Sequence, residues 1–130
     1  MVSSRIRIAS ANVRTLLPWQ DEASYNRNAF TSLKSKTELL QMMFHGAGYG
    51  IVGIQEGRTT TKRLVVGNYF EMFAGACPES RYGSQVWVSN SLQFSADVFV
   101  QPCARITTVI GVAQALAAGL VVCSAHAPHE

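Results

Sequence analysis

The sequence predicts one α+β domain, and three observations lead there. The chain opens as strand, helix, strand: Ile6 and Ile8 alternate with polar neighbours, an amphipathic stretch follows, and residues 51–55 form a compact apolar run. From Tyr69 onward the rhythm changes to five short apolar segments parted by Gly, Pro and Asn, the spacing of antiparallel meanders. With 130 residues, 48% hydrophobic and 15% charged, the chain has enough material for one core and too little for two, so residues 1–130 are read as one domain.

Taken in order, Ile6 and Ile8 alternate with Arg5 and Arg7, the period of a half-buried strand, and the pattern runs through Ala9 and Ala11 to deliver Asn12 at the strand end. Pro18 and the polar stretch 20–28 break it. Phe30, Leu33, Leu40, Met43 and Phe44 then recur at helical spacing, with Leu39 beside them, which predicts one long flanking helix over 28–45. Gly46 and Gly48 follow as stop signals. Residues 51–55, bounded by Gly50 and Glu56, read as a fully buried strand, parallel to the first because a helix intervenes. Further strands are expected at 69–74, 84–89, 94–100, 105–112 and 120–125, most of them in one mostly antiparallel sheet. Within the most apolar stretch, 109–123, Gly111, Gln114 and Gly119 mark a turn between two strands.

Bulk properties narrow the function classes. Eleven Lys and Arg against eight Asp and Glu give +3, which suits a polyanionic partner without requiring one. Cys77, Cys103 and Cys123 are odd in number and lack C-x-x-C spacing, so neither a disulfide framework nor a zinc site is expected; reduced thiols fit an intracellular protein, nuclear or cytoplasmic. No signal-type apolar region and no stretch of membrane-spanning length is seen, so no membrane partner is expected.

Three strands end in polar residues that a strand interior would reject: Asn12, Gln55 with Glu56, and His126. Gathered on one sheet edge, they would place an amide, a carboxylate and an imidazole around one pocket. Those groups suit phosphate ester hydrolysis: the amide orients a phosphoryl oxygen, the carboxylate holds a hard divalent cation, and the imidazole moves a proton or steadies developing charge. Each also has a plainer reading. Asn12 is a favoured turn former, Glu56 is the first solvated position after an apolar strand, and His126 is a surface histidine before Ala127 and Pro128.

The surrounding residues resemble a known family. Residues 6–16, Ile-Arg-Ile-Ala-Ser-Ala-Asn-Val-Arg-Thr-Leu, resemble the opening strand of the endonuclease/exonuclease/phosphatase (DNase I-like) superfamily, in the version found in LINE-type retrotransposon endonucleases. Residues 51–56, Ile-Val-Gly-Ile-Gln-Glu, resemble its second motif, and residues 121–128, Val-Val-Cys-Ser-Ala-His-Ala-Pro, its third. The resemblance implies the N-terminal half of a four-layer α/β/β/α sandwich, an endonuclease activity on DNA, and Mg²⁺ as cofactor with Mn²⁺ as a substitute. It further implies that Asn12 orients the scissile phosphate, Glu56 binds the metal, and His126 transfers a proton or stabilises the transition state. The resemblance also suggests phosphate contacts for Arg58 and Arg81, which a solvated loop charge and a plain hairpin explain equally well, and His129 stands where relatives place a substrate-touching Asn, as a substitute for it or without a role.

The sequence also departs from the pattern. Ala11 replaces the bulky residue usual before the first Asn, and the family's Asp-x-Asn and Ser-Asp-His motifs do not occur. The resemblance thus reaches about half of the family domain, and a fragment of weak or no activity is expected, its inner sheet face open to the missing half or to self-association. Two other readings stay open: a non-catalytic remnant that binds nucleic acid or a protein, and a phosphatase or sphingomyelinase of the same superfamily.

Overall fold

A computed structural model describes residues 5–14, 16, 35–59, 61–77 and 83–126. The chain is α+β, with eight strands and one α-helix among these residues. Strands β1 (Arg7–Asn12), β2 (Tyr49–Gln55), β3 (Arg63–Val66), β4 (Phe70–Ala74) and β5 (Gln85–Ser89) form a mixed sheet of order β1-β2-β5-β4-β3. Strands β6 (Phe94–Cys103), β7 (Ile106–Ala113) and β8 (Ala118–Ala125) form a second, antiparallel sheet. The strands expected in one sheet are thus shared between two. β1 and β2 pair in parallel, as the intervening helix requires, and β2-β5, β5-β4 and β4-β3 are antiparallel.

Helix α1 (Lys36–Gly46) starts later than its apolar spacing predicts. Ser35 is extended and its hydroxyl accepts from Glu38 N at 3.2 Å, half of the Ser-x-x-Glu box that marks a helix start. The expected start at 28 is therefore overturned; Phe30 and Leu33 lie outside the described residues. At the other end Gly48 takes φ +81 and its N–H closes the helix on His45 O at 3.0 Å. Leu40 and Phe44 face the five-stranded sheet, where Phe44 meets Trp87 edge to face at 6.2 Å. Leu39 and Met43 are exposed, so the apolar stripe is wider than the buried one. Buried Gln41 ties the helix down by accepting from Tyr69 N and Phe70 N, both at 3.3 Å.

The other face of the five-stranded sheet is covered by β6–β8. Ile51, Phe73, Val86 and Val88 pack there on Phe94, Val109 and Ala113, with Phe73 edge-on to both Phe94 and Phe99. This overturns the expected open inner face. The apolar face left exposed is the outer one of the three-stranded sheet, carrying Val98, Val100, Ile110, Val112 and Val121. Central β5 is buried at all five positions, Val86 and Val88 turning to one layer and Trp87 to the other.

The inter-sheet core is apolar at one end and polar at the other. At the polar end Ser124 Oγ donates to Ile54 O at 3.1 Å, and Ser84 Oγ to Thr107 Oγ1 at 2.7 Å. Beside them Gln101 brackets Ala76, accepting from its N–H at 2.7 Å and donating to its carbonyl at 2.6 Å. These contacts join β2 to β8, β5 to β7 and the end of β4 to β6. A side chain at Gly75 would collide with this row, its Cβ falling 2.4 Å from Thr107 Oγ1 and 2.7 Å from Ser84 O. Gly75→Ala is expected to destabilise the chain by about 1–3 kcal/mol through overpacking, read as a lowered thermal midpoint.

Candidate active site

Parallel pairing puts the ends of β1 and β2 on one edge, with Asn12 opposite Gln55. β8 brings His126 to the same edge, where His126 N donates to Arg105 O at 2.9 Å. Asn12 closes a turn by accepting from Arg14 N through Oδ1 at 3.1 Å, which leaves its Nδ2 to donate to Glu56 Oε1 at 3.1 Å. His126 Nε2 stands 3.6 Å from the same oxygen. On the opposite side Arg58 Nη2 donates to Glu56 Oε2 at 3.2 Å. The structure therefore gathers Asn12, Glu56, Arg58 and His126 as one cluster. Arg81 and His129 lie outside the described residues.

The backbone around the cluster is unusual. Five non-glycine residues among those described have positive φ, and two of them, Gln93 and Ala117, simply close 3₁₀ turns. The other three are Arg14 at 66°, Glu56 at 56° and Arg58 at 57°. Left-handed backbone costs about 1 kcal/mol or more for such residues, and it persists where surrounding contacts enforce it. Here Gly57 N bonds Gly83 O at 2.9 Å and Leu16 N bonds Gly57 O at 2.9 Å, fixing the loop between Glu56 and Arg58. Gly57 also leaves room for Gln85, whose Nε2 would lie 2.8 Å from a Cβ there. The alternation of left-handed residues about Gly57 folds Arg58 back onto the carboxylate two positions earlier.

The electrostatics follow from this geometry. The hydrogen bond from Asn12 holds the Glu56 carboxyl below its ordinary value; desolvation opposes it, and the charges of Arg58 and His126 add to the lowering. Glu56 is thus an ionised carboxylate at neutral pH, with its side chain 15% exposed. No group of three or more His, Cys, Asp or Glu that could cage a metal occurs among the described residues. The one carboxylate of the cluster, with the Asn12 amide turning its Nδ2 towards it, does not make a zinc or calcium cage.

Three participants have no sequence signal. Ser10 and Ser124 are lone strand serines, yet both bond the Gln55 side chain, whose Nε2 lies 2.9 Å from Ser10 Oγ and 3.4 Å from Ser124 Oγ. Arg105 lies in the turn between β6 and β7, like many surface arginines, and its Nη1 reaches His126 O at 3.5 Å. Only pairing between strands distant in the sequence places them here, and of the three Ser124 alone reaches across from one sheet to the other.

Asn12→Ala is expected to raise the Glu56 pKa, followed by carbon-13 titration of the side-chain carboxyl. A depressed folded pKa contributes stability that is complete above the unfolded value, near 4.5, and is lost as pH falls through the folded value. The substitution should therefore also shrink the acid range over which the fold resists unfolding.

No family model matches this chain, and no curated protein matches it in sequence. Among solved structures, AP endonuclease LMAP from Leishmania major aligns with a TM-score of 0.56 over 93% of this chain, at 11% identity. The alignment covers 40% of that chain, so the present chain spans less than half of its neighbour's length. At this identity the likeness is one of fold: the two-sheet α+β arrangement described above is shared with part of that structure.

Proposed function

We propose that this chain is the metal- and phosphate-binding portion of a Mg²⁺-dependent DNA endonuclease, of the type found in LINE-like retroelements. One observation carries the proposal: Asn12, Arg58 and His126, from three separate segments, converge on the single ionised carboxylate Glu56 at one edge of the sandwich. The DNase I-like fold supports it, as does the +3 charge.

Glu56 would hold Mg²⁺, or Mn²⁺ in its place, through its carboxylate, in competition with the Arg58 guanidinium. The cation, when bound, supplies Lewis-acid stabilisation of charge on the phosphate. Asn12 Nδ2 orients a phosphoryl oxygen, and the His126 imidazole donates to, or takes a proton from, the reacting oxygens. Arg58, with its side chain 37% exposed, carries a charged, planar guanidinium that suits a phosphodiester oxygen. Arg81 and His129 are assigned to substrate contact by resemblance. Any partner completing the fold, a second copy or a further segment, would find an apolar surface at Val98, Val100, Ile110, Val112 and Val121.

A non-catalytic reading, in which the chain binds nucleic acid without cutting it, is favoured by one observation: among the described residues no second carboxylate joins Glu56 and His126 to activate water. For that reason plasmid nicking by the 130-residue chain is expected to be weak or absent. Metal binding decides the proposal independently of turnover. Titration with Mn²⁺, followed by electron paramagnetic resonance, should show one site that Glu56→Ala removes; an affinity indifferent to Glu56 would overturn the assignment. Robust nicking abolished by Glu56→Ala would instead show the chain to be sufficient by itself.

Arg58→Ala is expected to act in opposite directions on the two ligands. Loss of the competing guanidinium should tighten Mn²⁺ binding about threefold, the scale of a partly exposed ion pair. Duplex DNA should bind more weakly, with a salt slope smaller by about one, as measured by fluorescence anisotropy across a salt series.

A further inference from the structure

The candidate site depends on how closely β8 approaches β2, because β8 carries His126 and β2 delivers Glu56. Packed sheets normally lie ~10 Å apart. Here β2 and β8 bring Cα atoms within 8 Å of one another. The short side chain of Ser124 is enough to touch the opposing backbone, its hydroxyl donating to Ile54 O at 3.1 Å. Gly53 permits the approach: a Cβ there would stand 3.3 Å from Ser124 Oγ.

Ser124 is 2% exposed and lies two residues before His126. Its acceptor, Ile54, lies two residues before Glu56. Its second partner, Gln55 Nε2 at 3.4 Å, also donates to Ser10 Oγ at 2.9 Å, and Ser10 lies two residues before Asn12. A hydroxyl–amide–hydroxyl chain therefore crosses the three strands that end in His126, Glu56 and Asn12, and it does so one side-chain layer beneath them. The neighbouring bond of Ser84 to Thr107 links the residue before β5 to β7 beside Ser124, but bonds none of Ser10, Ile54 and Gln55.

We infer that Ser124, together with Gln55, is a positioning residue for the site: its cross-sheet hydrogen bonds set the distance at which the His126 imidazole stands from Glu56. This inference rests on reading Asn12, Glu56 and His126 as one site. Ser124 touches no reacting group. It acts through the strand it anchors, and a buried hydroxyl whose partners are all polar is costly to leave unmatched, so the register of the two sheets is strongly held at this point.

Nuclear Overhauser spectra of the labelled 130-residue chain, free of metal and DNA, test the inference. Wild type should show cross-peaks from the His126 ring to the Glu56 and Asn12 side chains. In Ser124→Ala these should be lost while the fold and the β7–β8 cross-strand peaks persist. Ser124→Thr, which restores the hydroxyl, should restore them. Thr107→Val, which removes the neighbouring cross-sheet bond, should leave them intact, separating positioning from general loosening. Where Ser124→Ala fails to fold, Ser124→Cys keeps most of the volume, gives up most of the bond, and carries the same expectation. The inference is overturned by absence of the peaks in wild type, by their retention in a folded Ser124→Ala or Ser124→Cys chain, or by equal loss in Thr107→Val. Loss in Ser124→Ala, alongside Mn²⁺ binding indifferent to Glu56, would uphold the positioning role and sink the nuclease reading, so the two fail separately.

Discussion

The contact between the two sheets is the constraint on which the rest of this structure depends. At its apolar end, Val86, Val88 and Val109 are fully buried, and Phe73 is wedged between Phe94 and Phe99. That end supplies the burial that holds the layers together. At its polar end, side chains no larger than Ser, Thr and Gln reach the facing backbone, and Gly53 and Gly75 leave them the space. Apolar burial is non-directional, whereas hydrogen bonds weaken steeply as the angle at the hydrogen departs from linear. The sandwich is thus adhesive at one end and registered at the other, and the candidate site lies at the registered end.

Glu56 occupies the corresponding position in the electrostatics. Its carboxylate takes a neutral donor and an imidazole on one oxygen and a guanidinium on the other. A carboxylate with so many donors around it is held ionised, and three residues of strained backbone cluster beside it. Strain of this kind is removed by selection unless the surroundings enforce it or the chemistry needs it. The loop from Glu56 to Thr59 is enforced at Gly57 by Gly83 and at Thr59 by Gly75 and Cys77, so the carboxylate is presented on a fixed turn and not on a loose tip.

Much of the fold was legible because period and punctuation agree. β1 alternates, β2 is a short apolar run between Gly50 and Glu56, and β7 and β8 are separated by residues that do form a turn. β3 escaped because Arg63–Val66 is a four-residue edge strand with three exposed positions, so burial imposes no alternation on it. The start of α1 was misplaced because Phe30 and Leu33 continue the helical period, although Ser35 and Glu38 carry the local signal that governs where the helix begins. Leu39 and Met43 fit the same period and yet stay exposed, since how wide a stripe is buried depends on the sheet beneath.

Asn12, Glu56 and His126 were legible one by one as polar residues at strand ends, and the strand–helix–strand order pointed to the parallel pairing of β1 and β2 that presents the first two on a common edge. The tertiary structure alone decided that His126 joins them. It did so by crossing from one sheet to the other, a step that no periodicity along the chain records. Ser10, Ser124 and Arg105 carried no signal because their partners lie far along the chain: a lone serine in a strand looks alike whether it faces water or a carbonyl 70 positions away, and only the packing of β8 on β2 gives Ser124 its partner at Ile54.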